Sequence, residues 1–586
     1  MKISTFFRAA TVIDRVAVMT LFLLAASLPA QDRTWGRSMT ITRGGIVATS
    51  QTLASQAGSQ ILARGGSAID AAIAANAVLG LVEPMMNGIG GDLFMMHVDG
   101  KTGKLSALNA SGFTPKALTI ELLRSKGYSS YLPSGIHTVS VPGAVNGWEK
   151  THRKFGKLPW KDLFAPAIYY AENGFPVTEL IQWDWNHSYS KLSADANAKR
   201  IFLPGGDAPK VGQIFRNPEL AKAYRLIADG GAKAFYRGPI RDSILKTSAR
   251  LGGTLSKEDF EDFDSEWVEP LATDYRGWKV FQLPPNGQGI GTLEMLNIMS
   301  NFKLGDMIPS DPASWHLKIE AQKLAVQDLR RYNGDPRFSN VPVEGLLSRA
   351  YARERAALIN ADRANCDTAP GDPSKFVTAG IGHTIYLSVA DRDGNMVSWI
   401  QSISDLWGSG VVVDDYGFHL HDRASNMSLQ PGLPDSLAPR KRPFHTIIPG
   451  YMEQGDQRLV FGIMRGINQH QAQAQFVSYI VDHGMNIQAA LDAPRFTRRS
   501  TGGCDVVIEE RVPKEVRDAL ELKGHRLQVV GDYGGLVGGG QAILRDVKNG
   551  VNYGASDPRK DGFAAPEPDA YFASPSPLKK VSSRRQ

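Results

Sequence analysis

The sequence predicts an α+β protein, and three observations predict it. An alanine-rich stretch from Leu53 to Leu81 has high helix propensity. The middle of the chain, roughly 115–360, carries amphipathic helical periodicity. From Thr384 the pattern switches to period two and strands dominate. A helix-rich region followed by a strand-rich one is the order expected of an α+β fold.

Taken in order, residues 31–43 are polar and read as extended or disordered. Gly45-Ile-Val-Ala-Thr-Ser50 reads as a short strand. Helices follow at 53–63 and 67–80, parted by Gly65-Gly66, with Ser67 as N-cap and Asp70 at the third helical position. Asn87-Gly-Ile-Gly-Gly-Asp92 is a glycine turn that lets the backbone approach another segment or a ligand closely, and 94–98 is a strand. Amphipathic helices are predicted at 160–173, 217–229, 240–250, 314–331 and 345–359, with a Pro/Gly loop at 284–291. Residues 361–380, rich in Asp, Ala, Pro and Gly, read as an exposed linker that can be cut without loss of the core. Strands 384–390 and 396–404 flank Asp391-Arg-Asp-Gly-Asn395, in which Asp393-Gly394 is a hairpin signal. Further strands are expected at 411–414, 446–451, 458–462, 505–508, 526–530 and 541–546, and helices at 469–482, 487–492 and 513–522. The glycines of 534–540 lack GxGxxG spacing and read as a loop before a strand.

The 586 residues, 42% hydrophobic, suffice for a large core in two to four lobes. At 21% charged residues the chain is not of the disordered class. The net charge of +7, from 66 basic against 59 acidic residues, is slight, and part of it is the tail Lys579, Lys580, Arg584 and Arg585. No basic stripe interleaved with aromatics points to a nucleic-acid partner. Lys2, Arg8 and Arg15 precede an apolar run from Val16 to Leu28 that ends in Pro29-Ala30, the layout of a secretory signal peptide over 1–30. No other stretch approaches 18 apolar residues, so the mature chain is expected to be exported, periplasmic or extracellular, with no membrane span. Cys366 and Cys504 fit no metal spacing or disulfide framework, and the sequence leaves open whether they pair. With neither HExxH nor GxSxG present, no metal and no organic cofactor is implied.

The hairpin carries chemistry. With a two-residue turn at Asp393-Gly394, Thr384 falls opposite Ile403; with a one-residue bulge it falls opposite Ser402. Either register brings its hydroxyl near Ser402 and Ser404. A threonine opening a strand just after a linker gains, on cleavage of the His383–Thr384 peptide, an α-amine beside its own hydroxyl. That amine can act as the general base for the hydroxyl.

A chain of ordered motifs runs through the sequence: Ala54-Ser-Gln-Ala-Gly58, Arg64-Gly-Gly-Ser-Ala-Ile-Asp-Ala-Ala72, Glu83-Pro84, Gly88-Ile-Gly-Gly91, Val141-Pro-Gly-Ala144 and Phe164-Ala-Pro-Ala-Ile168. In the second half they are 384–395, Gly408-Ser-Gly410, Lys441-Arg-Pro443, Ala493-Pro-Arg-Phe496 and Gly554-Ala-Ser-Asp-Pro-Arg559. Together they resemble the γ-glutamyltransferase (γ-glutamyltranspeptidase) family over about residues 44–573. The resemblance implies a four-layer αββα N-terminal-nucleophile fold. It implies a precursor that cuts itself before Thr384 into a large chain, 31–383, and a small chain, 384–586. It also implies that Thr384 attacks a small-molecule amide to give an acyl-enzyme, released by water or an amine acceptor.

Position by position, the resemblance gives Ser402 the support of the nucleophile's amine and puts Arg465-Gly466 where the family has a glycine pair for the oxyanion hole. The substrate positions read Ser111 for an arginine, Asn426 for an aspartate with Arg423 three residues earlier, Ser404 for an asparagine, and His445-Thr446 for a serine pair. Loss of the bidentate arginine and of the aspartate moves the pattern toward the acylase-like and oxamate-hydrolase-like branch, with Arg423 a candidate carboxylate contact. Three functions stand as expectations: hydrolysis or transfer of γ-glutamyl or related amides, glutathione included; an acylase for other amides such as dicarboxylic monoamides; and an inactive binding protein of the same fold, motivated by Arg465.

Overall fold

The computed structural model describes residues 36–130, 132, 134–371 and 383–569. The predicted signal peptide, the basic tail and residues 372–380 of the predicted linker lie outside the described residues. Among the described residues no helix is long and apolar enough to cross a membrane.

Two seven-stranded sheets stack face to face. The first runs Phe563–Pro566, Ile46–Thr49, His383–Ala390, Met396–Ser404, Asp92–Val98, Leu105–Ala110, Glu266–Val268. The second runs Thr40–Thr42, Val551–Ser556, Gly540–Asp546, Gln457–Ile463, Gly450–Gln454, Trp278–Gln282, Leu271–Tyr275. Every neighbouring pair in both is antiparallel. Period-two alternation decides what each face meets. Tyr386 and Ile400 point between the sheets, against Tyr451, Val460 and Ile543. Ile385, Leu387, Val389 and Trp399 point outward, onto the helices Thr52–Ala63 and Ala68–Val82. The second sheet is covered on its outer face by Gly289–Met299, Pro312–Tyr332 and Asn468–Val481. The layers are therefore αββα, as the family resemblance implied.

Local chemistry explains the central pieces. Ser67 and Asp70 form the expected capping box. All 15 residues of Ala68–Val82 are buried, which is why alanine dominates there: small side chains let the helix press on the sheet and its neighbour. The glycine turn makes the close approach predicted for it. A Cβ on Gly91 would lie 2.2 Å from the Ser402 carbonyl oxygen, and one on Gly90 2.1 Å from that of His419.

Several expectations are corrected. The hairpin has no two-residue turn: residues 391–395 form the loop, held by the Asp391 carboxylate on the Asn395 amide at 3.0 Å. The predicted helix 345–359 breaks into Val343–Leu347 and Arg349–Ala356, because Ser348 is extended and caps the second piece. Residues 411–414 form only an isolated bridge, and the strand expected at 446–451 starts at Gly450. Gly289 already belongs to a buried helix rather than to a loop. The strands Leu105–Ala110 and Val551–Ser556, and the edge strand Phe563–Pro566, were not predicted. The upstream part of the predicted linker is docked: Cys366 is disulfide-bonded to Cys504, and Gly371 N donates to Asp328 Oδ1 at 2.6 Å.

Candidate active site

Thr384 sits second in its strand, 1% exposed. Ladder pairing holds from Ala390↔Met396 to Ile385↔Gln401 and then slips, so that His383 pairs with Ser404. The slip is a bulge: one position opposite Thr384 is occupied by both Ser402 and Ile403. It brings the Thr384 hydroxyl to donate to Ser402 Oγ at 3.5 Å, while Ser402 Oγ also accepts the Ser404 amide at 2.7 Å. Ser404 adopts a positive φ of 76°, and its own hydroxyl has no partner among the described residues. Gln469 was not anticipated. Its Nε2 donates to Thr384 Oγ1 at 3.1 Å, and its Oε1 accepts the Ile448 amide at 3.1 Å, which fixes the side chain.

The strand Gln457–Ile463 leads through Met464 into the turn Arg465-Gly466 and then into the helix Asn468–Val481. Arg465 has φ 92° and Gly466 φ 53°. For a non-glycine residue that conformation costs about 1–2 kcal/mol, yet the chain holds an arginine there. Neither amide N–H donates to another described residue. Both precede Ile467, the N-cap of that helix, whose dipole favours negative charge at this end. Gln288 Nε2 locks the turn by donating to the carbonyls of Gly466 at 2.7 Å and Thr446.

Next to Ser402 in the sheet is Asp92, its register partner. This fully buried carboxylate is a hub. It accepts Nε and Nη2 of Arg423, each at 3.0 Å, and Nε2 of His445 at 2.6 Å, with His421 Nδ1 3.3 Å away. Arg423 Nη1 donates to Thr446 Oγ1 at 2.9 Å. Burial pushes the Asp92 carboxyl up, but Arg423 and the two histidines outweigh it and hold it well below the usual carboxylate range. Burial, with the Arg423 charge beside it, pushes His445 down to about 4. His445 is therefore neutral, and its Nδ1 has no partner among the described residues.

The remaining positions separate. Ser111 is tied up by other partners: its hydroxyl donates to Asn109 Oδ1 at 2.7 Å, and its carbonyl accepts Arg442 Nε at 3.0 Å. Asn426 ends the 3-10 turn Arg423–Asn426, 1% exposed, with both amide atoms lacking a partner among the described residues. A cavity of about 280 Å³ opens over Thr384; Arg465 lines it, whereas Ser111, Ser404, Arg423, Asn426, His445 and Thr446 do not. Its other polar walls are Asp184, Tyr533, Arg559 and Lys560. Sequence reasoning missed Asp92, Gln469, Asp184 and Lys560. Only Asp92 carried a signal, as the last residue of the glycine turn.

Comparison with known proteins agrees with this geometry. A glutathione hydrolase proenzyme of Bacillus subtilis (strain 168) is 33% identical over 576 residues, covering 94% of this chain and 97% of that protein. A glutathione hydrolase-like proenzyme of the same organism is 35% identical over 524 residues, covering 89% and 98%. The solved structure of a cephalosporin acylase from Bacillus halodurans superposes with a TM-score of 0.85 at 42% identity, covering 92% of this chain and 98% of that one. The gamma-glutamyltranspeptidase family model matches residues 54–567, and this chain belongs to that family of N-terminal threonine hydrolases.

Proposed function

We propose that this chain is an exported proenzyme that cuts its own His383–Thr384 peptide and then hydrolyses amides whose acyl group is not γ-glutamyl. One observation carries the reading: the Thr384 hydroxyl lies at the wall of a cavity that Arg465 also lines, hydrogen-bonded to Gln469 and Ser402. In processing, the hydroxyl attacks the His383 carbonyl carbon, the C–N bond gives way to an ester, and water resolves it. The large chain is then 31–383 and the small chain 384–586. The freed α-amine has a reference pKa of about 7.7–8.0, so a neutral fraction is present at pH 7 to take the hydroxyl proton. On substrate, the oxygen adds to the amide carbonyl and the N–H groups of Arg465 and Gly466 meet the oxyanion. The amine leaves with the proton, and water hydrolyses the acyl-Thr384 ester.

The choice of acyl group follows from Arg423. All three of its guanidinium nitrogens are engaged, by Asp92 and Thr446, so it offers no free fork to a γ-glutamyl carboxylate. Asn426 is neutral and so offers no charge partner to an ammonium. The likeness to the cephalosporin acylase supports the same choice. The glutathione hydrolase relatives favour γ-glutamyl transfer as the second reading. N-terminal sequencing of the purified protein, with a panel of 4-nitroanilides, separates these. A new N-terminus at Thr384 and acyl anilide turnover above γ-glutamyl anilide turnover support the proposal. A single uncut inactive chain overturns it in favour of a binding protein.

A further inference from the structure

Gln288 is fully buried, one residue before the helix Gly289–Met299. Its backbone N–H donates to the His445 carbonyl at 3.0 Å, and the His445 N–H donates back to the Asn286 carbonyl at 2.9 Å. The 286–288 segment therefore grips the segment that carries His445 and Thr446. The Gln288 side chain reaches further. Its Nε2 donates to the carbonyls of Thr446 and, at 2.7 Å, of Gly466. With Nε2 committed to two acceptors, Oε1 is the acceptor of the pair, and it takes the Nδ1–H of His470 at 3.0 Å. Burial, with the Arg330 charge near it, pushes His470 down to about 3, so the ring is neutral and keeps that tautomer. One primary amide thus joins three parts of the site. These are the Thr446 segment, whose hydroxyl meets Arg423, the Arg465-Gly466 turn, and the helix Asn468–Val481, whose Gln469 holds the Thr384 hydroxyl.

Arg465 is held at φ 92°. A non-glycine residue keeps such a backbone only where its surroundings over-determine it. Two donors converge on the next carbonyl, that of Gly466: Gln288 Nε2 and, at 3.2 Å, the Gln469 N–H. The Gln469 bond belongs to the first turn of the helix and travels with it. Gln288 reaches in from a separate segment and ties the turn to the rest of the site. We propose that Gln288 is a positioning residue for the Thr384 reaction: it does not line the cavity, and it acts by holding the strained Arg465-Gly466 turn in the conformation that aims its N–H groups at the oxyanion. This rests on the reading of Thr384 as nucleophile. Without the amide, Arg465 relaxes toward negative φ, which rotates its N–H out of line. A glycine at 465 carries no such strain and stays in place. The need for Gln288 therefore depends on the side chain at 465.

The test uses the processed enzyme and whichever 4-nitroanilide wild-type protein turns over fastest, γ-glutamyl or not. Gln288→Met keeps the length of the side chain and removes the amide. It should lower kcat about tenfold or more, with KM changed less than about threefold. In Arg465→Gly protein the same substitution should lower kcat less than about threefold, whereas a side chain that only fills space would cost the same in both backgrounds. Should Gln288→Met protein fail to fold or to process, His470→Phe, which removes the donor that fixes Oε1, takes its place in the same cycle. Its kcat loss of about fivefold should again shrink in the Arg465→Gly background. An unchanged kcat, or equal losses in the two backgrounds, overturns the positioning role and leaves the nucleophile reading standing. Turnover of no amide by wild-type protein with Thr384 at its N-terminus overturns the reading on which the inference rests.

Discussion

Gln469 Nε2 donates to the Thr384 hydroxyl oxygen at 3.1 Å, across 85 residues of sequence. The same side chain accepts the Ile448 amide, and its own backbone N–H caps the Gly466 carbonyl. One residue therefore couples the hydroxyl to the turn that would receive the oxyanion. A donor on the oxygen orients its lone pairs and stabilises the alkoxide character it gains as its proton leaves.

Gln469→Ala is accordingly expected to slow chain processing and to lower kcat ten- to a hundredfold, with a smaller change in KM. The fold should persist, at a cost of about 1–3 kcal/mol for the unpaired Ile448 amide. Gel densitometry of processing over time and steady-state kinetics check this. Unchanged processing and kcat would show the contact to be packing alone.

Thr384→Ala should yield one full-length chain with no amidase activity, because both the hydroxyl and the step that exposes the amine are lost. Thr384→Ser should process and turn over, more slowly, since serine keeps the hydroxyl but not the methyl that restricts its rotamer. Denaturing gels and intact-mass measurement of the two variants decide the point.

What the sequence revealed and what it hid divide along physical lines. Ser67 with Asp70, the period-two run from Thr384, and the glycine turn before Asp92 are local patterns, and each was legible. The Asp92 hub was not. Its partners arrive from positions 421, 423 and 445, and only the sheet register that sets Asp92 against Ser402 puts them together. The same holds for Arg423: its residue type suggests a carboxylate contact, but only the fold shows the carboxylate to be internal. Lys560 lay unremarked just after a recognised motif, because its place in the cavity wall is a property of the fold.

Asp92→Asn should be strongly destabilising, by about 3–5 kcal/mol, since it leaves Arg423 buried without its charge partner. Chemical denaturation of the Thr384→Ala protein with and without this change isolates the effect from processing. A loss below 1 kcal/mol would mean that Arg423 finds another partner, which would also make it available to substrate.

The disulfide crosses the proposed cut: Cys366 belongs to the large chain and Cys504 to the small one. The processed enzyme should therefore run as one band on a non-reducing gel and as two bands after reduction. Cys504→Ser should give two bands under both conditions. Two bands without reductant in wild-type protein would show that the bridge does not form.

Each buried histidine should take stability away as pH drops below about 6.5, against the opposite contribution of Asp405 and Asp435, which burial pushes up to about 7. Burial pushes His419 down to about 3, His470 to about 3 and His445 to about 4. Each folded value lies below that of the unfolded chain, near 6.5. At pH 7 and above both states are neutral and nothing is lost. Below 6.5 the unfolded chain takes up protons that the folded chain refuses, so unfolding is favoured increasingly until the folded values are reached. At pH 5 this amounts to about 2 kcal/mol per histidine. His419 packs among the rings of Phe202 and Trp407 with its Nε2 unpaired among the described residues, so a benzene ring can take its place. His419→Phe should therefore reduce the loss between pH 7 and pH 5 by about 2 kcal/mol, read from urea midpoints at the two pH values, whatever its effect at pH 7. An identical pH slope in the two proteins would mean that His419 titrates normally in the folded state.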